Sequence, residues 1–355
     1  VKIYRDPVSG ENAGSNGYVF IGDAVFIEGA RGDIETAYPT HPLNYRAGWG
    51  LMMLTNFLPG SGNGTFTIRA IATDKEGNTY QLGTKTITCD NASAVNPFGA
   101  IDTPEQGGTI SGNDYINFGW ALTPQPNAIP TDGSTLHVIV DGVPIGKPTY
   151  NNYRSDIATL FPGYANSSAA VGYFVLDTTG YENGLHTIAW AVTDDAGNAA
   201  GIGSRFFNIL NTSPDGNNRH ASGTQAHNQA VLNVKSIEGY QIDRKAVHIH
   251  KGFVRENRIN IPEELYLNPD QKQKINIREL ERVVVDLKDK NYTGYLRVGE
   301  QLRPLPIGST MKDGKFYWLP GPGFIQEYQL VFVAHRKQNK KEMTVHIRPR
   351  FGNKE

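Results

Sequence analysis

The chain has 355 residues, enough for two or three domains that each bury a core, and its 34 Lys plus Arg against 35 Asp plus Glu exclude a nucleic-acid partner held by excess positive charge. Frequent Gly (39) and Pro (20), 10 % aromatics and more Tyr than Phe describe short strands joined by tight turns, an all-β chain. The single cysteine, Cys89, excludes an intrachain disulfide framework, and no apolar run approaches the ~20 residues that span a bilayer, so no membrane span is expected.

The sequence opens on Val1 rather than Met, as in a processed or truncated chain whose signal peptide is already gone. The first feature to weigh is Arg31-Gly32-Asp33, inside "VFIEGARGDIETAYP". It spells the tripeptide that many animal adhesion proteins show to integrins, but three common residue types meet often by chance.

An internal repeat bears on it. "RGDIETAYP" from Arg31, "NGTFTIRAIATDKEGN" from Asn63 and "LGTKTITCDN" from Leu82 return as "RSDIATLFP" from Arg154, "NGLHTIAWAVTDDAGN" from Asn183 and "IGSRFFNILN" from Ile202. The second copy has Ser155 where the first has Gly32, so the repeated unit is Arg-x-Asp-Ile. Arg31 with Asp33, and Arg154 with Asp156, are therefore expected to order the loop entering the next strand by pairing, with integrin display the competing reading.

Each copy ends in alternating residues, such as Phe66, Ile68 and Ala70 opposite Thr65, Thr67 and Arg69. An Asp-x-x-Gly-Asn turn follows at Asp74, Gly77 and Asn78, and again at Asp194, Gly197 and Asn198. Asp closes such a turn with side-chain hydrogen bonds, while Gly and Asn tolerate positive φ. Each copy is thus expected to end in a hairpin, as an immunoglobulin-like sandwich does.

The segments "PFGAIDTPEQGGTISG", "INFGWAL", "VIVDGVPIG", "RSDIATLFP" and "NGLHTIAWAVTDDAGN" resemble the tandem immunoglobulin-like domains of large bacterial secreted and cell-surface proteins. The resemblance is close from about Pro97 to Asn211 and degraded from Tyr18 to Asn91. It implies an extracellular β-sandwich that serves as spacer, stalk or binding module, without catalytic residues. The domains expected are 1–91, 92–211 and 236–355, with residues 212–235 a polar linker.

From Ser236 the composition changes. Residues 236–355 hold 22 Lys plus Arg against 15 Asp plus Glu, net +7, leaving 12 against 20, net −8, for residues 1–235. "VVVDLKD", "GYLRVGEQ", "KFYWLPG", "YQLVFVAHR" and "MTVHIRPR" read as strands of a third sandwich. "LPIGSTMKDGKFYWLPGPGFIQEYQLVFVA" resembles the cadherin-like and immunoglobulin-like domains of bacterial surface proteins. The calcium site usual there is not carried over, because only Asp313 and Glu327 stand where several acidic loop residues are needed.

Catalytic chemistry lacks a constellation. Gly60-Ser61-Gly62 and Gly308-Ser309-Thr310 fall short of a nucleophile elbow, and almost no helix is expected, "IREL" at Ile277 to Leu280 being the only helical-looking stretch. His248 and His250 share a strand face and would need His335 or His346 as a third ligand, so no metal or other cofactor is assigned. Asp194-Asp195, and Asp74 with Glu76, read as solvated turn carboxylates rather than calcium ligands. Sugar stacking is to be sought in "YINFGWAL" and "KFYWLPGPGF", although Trp120 and Trp318 read as sandwich-core aromatics. Sequons at Asn63, Asn91, Asn166, Asn211 and Asn291 are no more than an Asn- and Thr-rich chain reaches by chance.

The expected function is an extracellular structural protein, a building block of a surface stalk or filament. An adhesin or carbohydrate-binding module of a larger secreted protein is the alternative, with other surface proteins or glycans as partners. Arg154 lies 57 residues after Pro97, whereas only 30 residues precede Arg31. The first copy is therefore short by roughly two strands of ~5–6 residues with their turns. An open sandwich with an acidic front and a basic back would self-assemble head to tail.

Overall fold

The computed structural model describes residues 1–211, 229–252, 263–265 and 274–349. Strands make up 47 % and helix 11 %, an all-β chain of tandem immunoglobulin-like β-sandwich type.

In the first unit, β1 (Lys2–Arg5) lies between β2 (Val19–Asp23) and β5 (Asn63–Thr73), and β6 (Thr79–Asp90) closes the sheet beyond β5. Where a complete sandwich has a second sheet, this unit has, among the described residues, a two-stranded ribbon of β3 (Val25–Ile27) and β4 (Gly48–Gly50). Between them runs α1 (Gly32–Ala37); Pro59–Gly62, labelled α2, is a kinked turn with positive φ at Gly60 and Ser61.

The second unit is a full sandwich. One sheet runs β11 (Val143–Gly146), β10 (Leu136–Val140), β14 (Gly184–Thr193), β15 (Ala199–Ile209) and β8 (Thr109–Ile110). The other runs β12 (Thr149–Asn152), β13 (Val171–Leu176), β9 (Tyr115–Leu122) and β7 (Phe98–Ile101). Trp190, fully buried, fills the space between the sheets, and its indole N–H donates to Asn117 Oδ1 at 2.8 Å. A side chain at Gly119 or Gly172 would press on that ring, so small residues in the facing strands let the sheets close over it. Trp120 is also buried, but on the outer face of its sheet, under α3 (Ser155–Leu160) with Ile157 and Phe161. The core tryptophan of this sandwich is therefore Trp190, not Trp120.

The third unit pairs two sheets. One joins β16 (Leu232–Asn233), β23 (Gln301–Arg303), β22 (Thr293–Val298), β26 (Gln326–Ala334), β27 (Asn339–Arg348) and β17 (Gln241–Ile242), with β20 (Lys274–Arg278) parallel to β27. The other joins β19 (Glu263–Leu265), β18 (Val247–Lys251), β21 (Val283–Asp286), β25 (Lys315–Trp318) and β24 (Ser309–Lys312). Trp318, Phe316, Phe324 and Phe332 are fully buried between them.

Three expectations need correction. Short helices do occur: α1 and α3 each start at the residue after the Arg and hold the Asp in their first turn, so the pair opens a helix rather than a strand. "IREL" is no helix, since Ile277 and Arg278 end β20 and Leu280 has φ 63°. Of the expected linker, residues 212–228 lie outside the described residues, whereas Leu232 and Asn233 pair with Leu302 and Gln301 as part of the third unit.

The units share cores. Ile27 and Ala30 of the first unit and Phe206 of the second are buried among third-unit side chains. A Cβ on Gly50 would overlap the Pro322 carbonyl, so the third unit's Pro-Gly turn packs directly on β4. On the other side Ile139, Ala189 and Ala191 of the second unit bury against Leu319, and Arg282 Nε donates to the Gly142 carbonyl at 2.6 Å. The acidic front and basic back meet inside one chain: Arg303 grips the buried Glu35 carboxylate through both terminal nitrogens, Nη1 at 2.6 Å from Oε2.

Candidate functional site

The Arg-x-Asp pairs fold alike. Arg31 Nε and Nη2 donate to the two Asp33 oxygens at 2.8 and 2.7 Å, and Arg154 Nε donates to Asp156 Oδ1 at 2.7 Å. Each guanidinium holds its carboxyl below the ordinary range. Both Asp33 oxygens are thus occupied by its own arginine, and Ala30 beside it is tied through its carbonyl to the Tyr328 hydroxyl at 2.7 Å. The tripeptide is a helix entry clamped against the third unit.

The hairpin turns are also alike. Asp74 Oδ1 accepts from the Asn78 backbone N–H at 2.8 Å and Asp194 Oδ1 from that of Asn198 at 2.7 Å. Gly77 and Gly197 sit at φ 90° and 85°, where a β-carbon is disfavoured. The turns differ in burial. Asp194 also accepts from Thr123 Oγ1 at 2.9 Å and Asn127 Nδ2 at 3.3 Å, both outside its turn, while the partners of Asp74 lie within its own turn, Glu76 to Asn78.

The histidines do not converge. His248 lies by Lys288, His335 by Tyr240 and Tyr295, and His346 by Asn276. Among the described residues no group of three or more His, Cys, Asp or Glu is placed to hold a metal. Asp313 and Glu327 each face a lysine, Lys290 and Lys274.

One of these regions forms a site. In the β9–β13 pair, Phe118 lies opposite Tyr173, Ile116 opposite Val175 and Trp120 opposite Val171, all on the outer face. Helix α3 covers the Trp120 end and leaves the other end open as a cleft of about 620 Å³, within the ~300–1,000 Å³ usual for small-ligand sites. Its apolar floor is Ile116, Phe118, Val171 and Tyr173, with the Phe118 and Tyr173 rings 6.2 Å apart. Tyr153, 71 % exposed, stands at the rim.

Polar groups ring this floor, and each is fixed. Thr103 Oγ1 donates to the Ile116 carbonyl and accepts from the Phe118 N–H, both at 2.8 Å. Asn152 Nδ2 donates to the Val171 carbonyl at 3.2 Å. Arg154 bridges Asp156 and Asp102, so one cation serves two carboxylates and the rim has no spare positive charge. Of the repeat-loop and turn residues Arg154 lines the cleft, with Asp156 supporting it from α3, and of the stretch "YINFGWAL" singled out for sugar stacking Ile116 and Phe118 do. Tyr153 and Tyr173 were missed. The alternation in "VGYFVL" puts Tyr173 and Val175 on one face, and that was the available signal.

A second cleft, of about 640 Å³, runs along the seam between α1 and strands β22 and β26, and is lined by Gly32, Asp33, Leu296, Val298 and Tyr328. It lacks an exposed aromatic pair.

No family model matches the sequence, and no curated protein matches it. Among solved structures, the fibronectin(III)-like modules of Clostridium thermocellum CbhA are similar at 14 % identity over 62 % of this chain and 82 % of that one, with a TM-score of 0.21. The Bacteroides ovatus glucan-utilization surface protein SGBP-B, solved with a mixed-linkage heptasaccharide, is similar at 11 % identity and a TM-score of 0.21; 81 % of this chain is covered, and about half (53 %) of that one. The Ca2+-stabilized ice-binding adhesin of an Antarctic bacterium is similar at 12 % identity over 99 % of this chain and 66 % of that one, with a TM-score of 0.15. Likenesses this low carry no weight for activity. No helix among the described residues is long and apolar enough to cross a membrane.

Proposed function

We propose that this chain is a non-catalytic binding module of the bacterial cell surface, and that the cleft on the second unit takes a neutral glycan. The observation that carries this reading is the cleft itself: Phe118, Tyr173 and Tyr153 present apolar ring surface, ringed by hydrogen-bonding groups held in place. Sugar rings offer apolar C–H faces edged by hydroxyls, which is the complementary pattern. Arg154, the basic residue lining the cleft, already pairs with Asp102 and Asp156, so the cleft offers an acidic sugar no uncommitted guanidinium. Nothing comparable to the cleft supports the alternative of a head-to-tail filament, and Glu35 and Arg303 of the two oppositely charged regions pair within the chain.

Retardation in native gels cast with soluble polysaccharides tests the proposal. A neutral polymer (β-glucan, xylan or galactomannan) should slow the chain, alginate and polygalacturonate should not, and Tyr153→Ala should restore free migration. Equal migration of wild type and variant in every gel would refute it.

A further inference from the structure

The cleft on the second unit is walled on three sides. Its sheet runs β12, β13, β9, β7, so β12 and β7 are the two edges. Asn152 and Tyr153 stand along the β12 edge, and Asp102 and Thr103 along the β7 edge. Asp102 follows β7 directly and is level with Phe118, whose carbonyl accepts from the Asp102 backbone N–H at 2.9 Å. Phe98 and Ala100 pack with Trp120 on the outer face, so strand alternation puts the Asp102 side chain on that face as well.

Arg154 comes from the opposite edge, two residues after β12. Its Nη1 donates to Asp102 Oδ2, and its Nε to Asp156 Oδ1 on α3. The ion pair therefore joins the two edges across the outer face, as a bar where the covered end of the sheet meets the open floor. Behind the bar Trp120, 2 % exposed, lies under α3. In front of it Phe118 is 41 % exposed and Val175 51 %. The strands then run on past Ile116 and Val175 to Asp114 and Asp177, both exposed. Phe118 to Asp114 is four residues at ~3.3 Å each, about 13 Å of floor, or a few sugar rings. A polymer lying along this floor meets a wall at one end and solvent at the other. One laid across the strands would have to climb both flanks.

We infer, resting on the neutral-glycan reading of the cleft, that the site takes the end of a glycan chain and not an internal stretch. The terminal sugar stacks on Phe118 and Tyr173 and sets its hydroxyls against the bar, where Asp102 Oδ1 accepts and Arg154 Nη2 donates. The sugars that follow run out over Ile116 and Val175. An internal stretch does not fit, because the chain would have to continue through the Arg154–Asp102 pair and α3. Such a site counts chain ends, not chain length.

Isothermal titration of the full chain tests this with unbranched β-glucan and unbranched xylan, each intact and cut by mild acid to about a tenth of its length, at equal mass. Cutting adds ends without changing the sugars or their linkages. Protein bound per mass of glycan should rise about tenfold on cutting, and Tyr153→Ala, at the exposed rim, should remove binding to both forms. A capacity unchanged by cutting overturns the inference and leaves the neutral-glycan reading standing. A rise that persists in a Tyr153→Ala chain shown to be folded by circular dichroism also overturns it, by placing the end-binding site elsewhere. No binding to either form of either polymer removes the glycan reading, and this inference with it.

Discussion

Replacing Asp194 by Ala separates the two hairpin turns that the sequence writes alike. Asp194 is 3 % exposed, its carboxylate takes four hydrogen bonds, and Thr123 beside it is 1 % exposed. In the variant the Asn198 groups, half-buried, regain water. The Thr123 hydroxyl loses a charged acceptor in a place water does not reach. A hydrogen bond to a charged group is worth about 1.5–3 kcal/mol and a stranded buried donor costs about 1–3 kcal/mol, so Asp194→Ala should destabilise the second unit by about 3 kcal/mol. Asp74→Ala frees only groups of its own turn, Glu76 to Asn78, already in solvent, and should leave stability close to wild type. Urea unfolding followed by Trp190 fluorescence reads the second unit, and Asp194→Asn should recover part of the loss. Equal midpoints for Asp194→Ala and Asp74→Ala would refute the reasoning, since they would mean that the buried bonds contribute nothing.

Ile27→Ala should cost about 2–5 kcal/mol, the usual range for emptying a packed site, and should appear in third-unit unfolding followed by Trp318 fluorescence, because Ile27 is buried in that core; an effect confined to the first unit would contradict the shared packing. His186 gives a pH dependence. Burial disfavours its charge, but Asp141 Oδ2 at 2.6 Å and the Glu182 carbonyl at 2.9 Å face both ring nitrogens, and the pKa is raised. A raised folded pKa stabilises fully below the unfolded value of about 6.5 and is lost as pH rises through the folded value. Melting temperature should therefore fall on going alkaline, and His186→Phe should flatten that slope; an unchanged slope would count against the pair.

Legibility tracked the range of the interaction. The Asp-to-Asn turn bonds span four residues and the Arg-to-Asp pairs two, so residue types at fixed spacing carry them. The shared cores span hundreds: Tyr328 reaches Ala30 across 298 positions, and nothing near Ala30 distinguishes a side chain buried in its own unit from one buried in another. The cleft was half visible. "YINFGWAL" drew attention through Trp120, but α3 covers that ring, and the open floor belongs to Phe118 two residues earlier. Strand alternation assigns both to one face and does not reveal which part of that face a helix covers.

The central claim, a glycan cleft on the second unit, is tested most directly by isothermal titration with an oligosaccharide cut from whichever neutral polysaccharide retards the chain. Loss of a stacked ring is worth about 0.5–1.5 kcal/mol beyond its buried area. Tyr173→Ala should thus weaken binding by roughly tenfold or more, at about 1.4 kcal/mol per decade, with urea stability unchanged. Full affinity in a folded Tyr173→Ala chain would contradict the account.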